Sequence, residues 1–244
     1  MADAYVPGVS VSGQGRAVVL VPGMDGTGQL FHRQVPGLAR SFRVATYALR
    51  NDAPSMDVLV GDLVRTIEAV DPVERCAIVV GESFGGALAL SLALATPERV
   101  RALVVLNSFP HFTPQFRLRL ADWGLSVVPW GAMGLVRRLT AFRMHSRHTH
   151  AQEIRRFMAL TARASRQGYL NRLRLLRQYD VRDRLQEISV PTLFLAADED
   201  HLVPSVAEAR FMAARVPGSL VRVLAGHGHV CLIAPGLSLE EILL

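Results

Sequence analysis

Lysine is missing from this chain of 244 residues, and all 27 of its basic residues are arginine. So uniform a choice reflects a GC-rich coding bias rather than a recognition motif. Cysteine is nearly missing too. Cys76 and Cys231 are the two present, each within an apolar stretch, which excludes a disulfide framework and predicts two small core residues. No uncharged apolar run reaches the ~18 residues of a membrane span. The nearest, LADWGLSVVPWGAMGLV at 120–136, is interrupted by Asp122, Pro129 and three glycines. The opening MADAYVPGVSVSGQG has no basic region followed by an apolar core, so no secretory signal is read and a cytoplasmic location is expected. Internal repeats and low-complexity segments are also lacking.

What is present is a chain with 50% hydrophobic and 20% charged residues, long enough for one large α/β domain. Its formal charge of +6 is unevenly spread. Residues 110–185 hold 15 arginines against four acids, whereas the rest of the chain is net acidic. A basic insert therefore sits in an acidic body. Nucleic acid is not an expected partner, because no binding motif accompanies the charge.

Strand and helix signals alternate through the first half. The apolar runs AVVLV (17–21), RVATYA (43–48), CAIVV (76–80) and RALVVLN (101–107) predict strands. MDVLVGDLVRTIEAV (56–70) has helical spacing and stops at Asp71 and Pro72. Continuous apolar strands separated by helices indicate a parallel sheet covered on both faces. Residues 110–187 show helical periodicity alone, and alternation resumes with PTLFLAA (191–197), a helix over 204–215, SLVRVLA (219–225) and a last short helix in LSLEEILL. The expected organisation is an α/β core over 1–109 and 188–244, with a helical cap at 110–187 after the fourth clear strand.

Chemistry concentrates at strand ends. In AIVVGESFGG (77–86) a buried strand runs into Gly81, Ser83 and Gly85 and then a helix. A serine on so sharp a strand-to-helix turn needs small neighbours two residues to either side, and its hydroxyl stands clear of the sheet. Ser83 is thus the candidate nucleophile, and the Phe84 amide, at a helix N-terminus, faces developing negative charge. A serine nucleophile needs a base and an orienting acid. LFLAADEDHLVP offers Asp198, Glu199 and Asp200, and Asp200 is preferred because it directly precedes HLVP, where the next helix begins. LAGHGHVCLIAP offers His227 and His229, and His229 is preferred because the apolar VCLI after it anchors its loop. The second oxyanion donor is assigned to the Met24 amide in VLVPGMDGTG, with Asp25 either capping that loop or serving as a plain turn residue.

Together, LVPGMDGTGQLF, GESFGG, TPERVRALVVLNS, PTLFLAADEDHLVP and GHGHVCLIAP resemble the α/β-hydrolase superfamily across residues 17–235. The resemblance implies the α/β-hydrolase fold, with Ser83 as nucleophile, Asp200 as acid, His229 as base, Met24 and Phe84 as oxyanion amides, and 110–187 as cap or lid. It implies neither cofactor nor metal. The sequence departs from the family pattern at Pro22 and Gly23, where His-Gly is usual, and at Ala197, where glycine is usual. It also leaves little room for an opening hairpin, and its last helix is short.

The implied activity is acyl transfer through an acyl-enzyme, with carboxylic-ester hydrolysis first. Acyltransferase or thioesterase action on carrier-bound acyl groups is the alternative, and a non-catalytic ligand-binding protein is the third reading. Trp123, Val127, Val128, Trp130, Met133, Phe142 and Met144 give the cap an apolar stripe, read as its own core or as an acyl pocket. Its arginines are read as a solvated face or as a dock for an anionic carrier or lipid surface. MHSRHTH (144–150) lacks a carboxylate or cysteine at ligand spacing, so no metal is expected there.

Overall fold

A computed structural model describes residues 8–112 and 144–244. The apolar runs form strands: β1 (Val9–Ser12), β2 (Ala17–Val21), β3 (Arg43–Tyr47), β4 (Ala77–Glu82), β5 (Val100–Leu106), β6 (Thr192–Ala197) and β7 (Leu220–Leu224). They build one seven-stranded sheet in the order β1-β3-β2-β4-β5-β6-β7. All neighbours are parallel except β1, which runs antiparallel to β3 at the edge. The first strand was not among those predicted. VSVS is short and polar on alternate positions, as an edge strand with one wet face allows.

Helices cover both faces. They are α1 (Val35–Leu38), α2 (Met56–Val70), α3 (Phe84–Ala95), α4 (Ala151–Ala162), α5 (Arg166–Leu176), α6 (Ser205–Ala213) and α7 (Leu239–Leu243). Alternate strand residues serve opposite cores. Val19, Val21, Val79, Leu103, Val105 and Phe194 pack with α2, α3 and α6, while Val18, Leu20, Val44, Val80, Val104 and Leu195 pack with Phe31, Leu38, Cys231 and Leu239. Helix α3 is apolar nearly all round because it lies against α2 as well as β4 and β5. The short α7 is held by Gln34, which is buried: its Nε2 donates to the Leu232 carbonyl at 2.7 Å, and its Oε1 accepts from the Leu239 amide at 2.9 Å. Arg40, just after α1, adds an ion pair with Glu240 in α7.

One cysteine departs from expectation. Cys231 is fully buried, but Cys76 is only half-buried, and its sulfur accepts a hydrogen bond from Arg101 Nη2 at 3.2 Å. The chain leaves the sheet after β5 and returns at β6; between them, α4, α5 and the 3-10 stretch Arg182–Glu187 are described. Trp123, Val127, Val128, Trp130, Met133 and Phe142 lie outside the described residues. Met144 packs against Leu30, Phe157, Val230 and Ile233. Among the described residues no helix is long and apolar enough to cross a membrane.

Candidate active site

Strand order reverses direction between β2 and β4, and at such a switch point the loops at the carboxyl ends of the strands diverge and open a crevice. Ser83 sits at that crevice, between β4 and α3, with φ 56° and ψ −119°. Such a conformation is strained for a residue with a Cβ, and the surroundings enforce it. A Cβ on Gly81 would lie 2.3 Å from the Gly85 carbonyl oxygen, and one on Gly85 would lie 2.2 Å from that of Val21. Strand, turn and helix therefore approach closer than any other residue type permits. The Ser83 amide donates to the Leu106 carbonyl at 2.9 Å, and its own carbonyl accepts from Ser108 Oγ at 2.7 Å. The turn is braced from β5 and the residues after it.

Asp200 follows β6, and His229 follows β7. His229 Nε2 lies 3.1 Å from Ser83 Oγ, and its Nδ1 lies 2.7 Å from Asp200 Oδ2. Asp200 Oδ1 accepts from the amides of Leu202 and Val203 at 2.9 and 3.0 Å, and Ser205 Oγ bonds Oδ2. These donors fix the carboxylate so that one oxygen faces the imidazole. Burial alone would raise the Asp200 pKa, but the charge and hydrogen bond of His229 and the Ser205 and Val203 donors hold it below the usual carboxylate value. Burial alone would lower the His229 pKa; the Asp200 carboxylate outweighs it and holds the imidazole above its ordinary value.

The competing residues point elsewhere. Asp198 Oδ1 accepts from the Gly226 amide at 2.8 Å, and Glu199 pairs with Arg147 at 2.8 Å. His227 Nδ1 lies 2.9 Å from Ser146 Oγ. The structure thus brings together Ser83, His229 and Asp200 and leaves Asp198, Glu199 and His227 as ties between loops.

Loop 22–28 borders the serine, since a Cβ on Gly23 would meet Ser83 Cβ at 3.6 Å. The Gly26 amide donates to the Gly23 carbonyl at 3.0 Å, closing a tight turn with Met24 and Asp25 at its centre. Asp25 caps this loop rather than merely turning it: Oδ2 accepts from the Thr27 amide at 2.8 Å and from Thr27 Oγ1. Met24 follows Gly23 in this bordering loop, and Phe84, first residue of α3, has no intrahelical acceptor for its amide.

Two neighbours of the site were not anticipated. Glu82, the residue before the serine, is buried with no hydrogen-bond partner for Oε1. Burial pushes its pKa up to about 7, with Asp25 and Asp200 adding to the rise and His229 opposing it. Asn107, with φ 47°, directly follows β5. Its Nδ2 donates to the His229 carbonyl at 2.8 Å, and its Oδ1 accepts from the Ala197 amide at 2.8 Å. It ties the His229 loop to the end of β6. Its sequence signal was an amide side chain directly after an apolar strand, where left-handed backbone favours Asn. Among the described residues no group of three or more His, Cys, Asp or Glu side chains could hold a metal ion.

Residues 16–234 match the family described as alpha/beta hydrolase fold. A Yersinia enterocolitica protein provisionally named carbamate hydrolase RutD is 30% identical over 201 residues, spanning 78% of this chain and 72% of its own. The pimeloyl-[acyl-carrier protein] methyl ester esterase of Nitrosomonas europaea is 27% identical over 96% of this chain and 94% of its own. The fold is shared with an esterase from Exiguobacterium antarcticum at a TM-score of 0.81 and 22% identity, covering 96% of this chain and 90% of that one. A parallel sheet with a strained serine at its switch point and a match over residues 16–234 make this chain a member of the alpha/beta hydrolase fold family, and a hydrolase.

Proposed function

We propose that the protein is a serine hydrolase that cleaves carboxylic esters through an acyl-enzyme. The observation that carries this reading is the hydrogen-bonded line Ser83 Oγ, His229 Nε2, His229 Nδ1, Asp200 Oδ2, at 3.1 and 2.7 Å. His229 takes the Ser83 proton as Oγ attacks the ester carbonyl. The oxyanion collects on the Met24 and Phe84 amides, and each such donor is worth about 3 kcal/mol in the transition state. The imidazolium, held in place by Asp200, returns the proton to the departing alkoxide. The same base then activates water, which releases the acid and restores Ser83. The insert at 110–187 is proposed as the lid over this crevice, and the enzyme is proposed to be cytoplasmic.

The test is turnover of p-nitrophenyl acetate, butyrate and octanoate beside a matched carbamate and thioester. Esters should be hydrolysed, and Ser83→Ala should abolish turnover in a folded protein; turnover that survives the substitution refutes the nucleophile assignment. Preference for the carbamate would move the substrate toward that of the Yersinia relative's name.

A second reading, a thioesterase or acyltransferase acting on carrier-bound acyl groups, draws on the insert's charge. Arg155, Arg156, Arg163 and Arg166 are exposed on α4, α5 and the turn between them, with no acidic partner among the described residues. The Nitrosomonas relative is named for a carrier-linked substrate. Adding an acceptor alcohol or amine to the assay separates transfer from hydrolysis. The third reading, a non-catalytic ligand-binding protein, predicts no turnover on any of these substrates.

A further inference from the structure

Among the described arginines of the basic insert, Arg172 stands apart because it is 1% exposed. Helix α5 repeats Gly168, Arg172, Leu175 and Leu176 at helical spacing, and that face lies against the body. Where an aliphatic residue would be expected, the chain buries a guanidinium. Burial draws its pKa down to about 10, with Asp25 partly opposing.

The guanidinium reaches the loop that flanks the nucleophile. Arg172 Nε donates to the Met24 carbonyl at 3.0 Å, and Nη2 donates to the Asp25 carbonyl at 3.2 Å. Its plane lies on Gly26, where a Cβ would sit 2.6 Å from Cζ. The grip is therefore bidentate, on the two central residues of the turn closed from Gly23 to Gly26. The Met24 amide lies in the peptide plane of the Gly23 carbonyl, which the Gly26 amide holds at 3.0 Å, and Arg172 fixes the two peptide planes that follow, so the turn carrying the Met24 amide is pinned along its length. Only the forked, planar arginine head spans two adjacent carbonyls in this way; a lysine ammonium is a point donor.

We infer that Arg172 is a positioning residue for the oxyanion hole: through the Met24 and Asp25 carbonyls it aims the Met24 amide, and so couples the insert helix α5 to the chemistry at Ser83. The inference rests on the serine-hydrolase reading above. Oxyanion donors act only if preorganised, so a loosened turn weakens the transition state and not the bound ester. Helix α5 is docked at a second place that avoids the loop, since Asn171 Nδ2 donates to the Ala53 carbonyl at 2.7 Å. That contact supplies the control.

The experiment compares wild type with Arg172→Met, Arg172→Lys and Asn171→Ala. It measures kcat and KM on p-nitrophenyl butyrate, melting temperature, and inhibition by a trifluoromethyl ketone whose adduct places an oxyanion in the hole. Arg172→Met should lower kcat by about 10- to 100-fold with KM within about twofold, and should weaken the ketone by the same factor as kcat. Arg172→Lys, which keeps charge and bulk, should fall between, and it decides the matter if the methionine variant does not fold. Asn171→Ala should lower the melting temperature and leave kcat and ketone affinity unchanged. The inference is overturned if Arg172→Lys and any folded Arg172→Met keep wild-type kcat, or if kcat falls without loss of ketone affinity. It is equally overturned if Asn171→Ala reproduces the kinetic loss, because docking of α5 alone would then suffice. Wild type that is inactive, or active independently of Ser83, would sink the hydrolase reading instead, and this inference with it.

Discussion

On the proposed mechanism His229 reacts as a neutral base, so the rate should fall as pH drops through its pKa, which the Asp200 carboxylate holds above the ordinary imidazole value despite burial. Glu82 contributes to the same limb, because ionised Glu82 favours the imidazolium. Glu82→Gln removes that charge, and the acid limb of kcat/KM should move to lower pH; an unmoved limb would show that Glu82 does not reach the base electrostatically. Glu82 also leaves a mark on stability. Its carboxyl titrates near 4.5 when unfolded and about 7 when folded, so the folded state holds its proton longer. Stability should therefore decline as pH rises from 4.5 to 7, by about 3 kcal/mol at roughly 1.4 kcal/mol per pKa unit, and Glu82→Gln should lose that slope. Asp200→Asn should lower kcat by about four orders of magnitude by stranding the wrong imidazole tautomer. His229→Ala should be far more damaging than His227→Ala, whose ring bonds Ser146 and not Ser83. The reverse order would transfer the base role.

At the scale of elements, the strand ends did most to make the site readable. Strand signals announced β2 to β7, as unbroken apolar runs in β2, β4, β5 and β6, and the candidate triad had only to be sought just after strand ends. The edge strand β1 escaped because VSVS carries half the usual apolar signal. Glu82, Asn107 and Arg172 escaped for a different reason. Each acts through a long-range contact that local spacing does not encode: Glu82 on a ring 147 positions away, Asn107 on a carbonyl 122 positions away, and Arg172 on one 148 positions away. Two of them had a usable local signal: Arg172 its place on the apolar face of α5, and Asn107 its amide directly after an apolar strand. Asn107 gives an element-scale prediction. Asn107→Ala unties the His229 loop from the end of β6, and it should lower both kcat and melting temperature, whereas a purely structural tie would move the melting temperature alone.

Across the whole molecule, charge is segregated between body and insert, and the structure divides the insert's arginines further. Arg172 is buried against the loop at Met24 and Asp25, Arg174 bonds the Ala53 and Pro54 carbonyls, and Arg182 and Arg184 pair with Asp180 and Glu187. Arg155, Arg156, Arg163 and Arg166, exposed with no acidic partner among the described residues, are the ones open to an anionic partner. If they receive one, kcat/KM on carrier-linked acyl substrates should fall as salt rises over the range where the Debye length shrinks to about 8 Å, while neutral esters stay unaffected. Equal salt response for both would leave these arginines as a solvated face. None of this bears on the reaction unless residue 83 is the nucleophile. The most direct measurement is intact mass after treatment with a fluorophosphonate, followed by peptide mapping. A single adduct on Ser83, absent from both Ser83→Ala and His229→Ala, is the expected result; an unlabelled wild-type protein, or an adduct mapped to another residue, would contradict it.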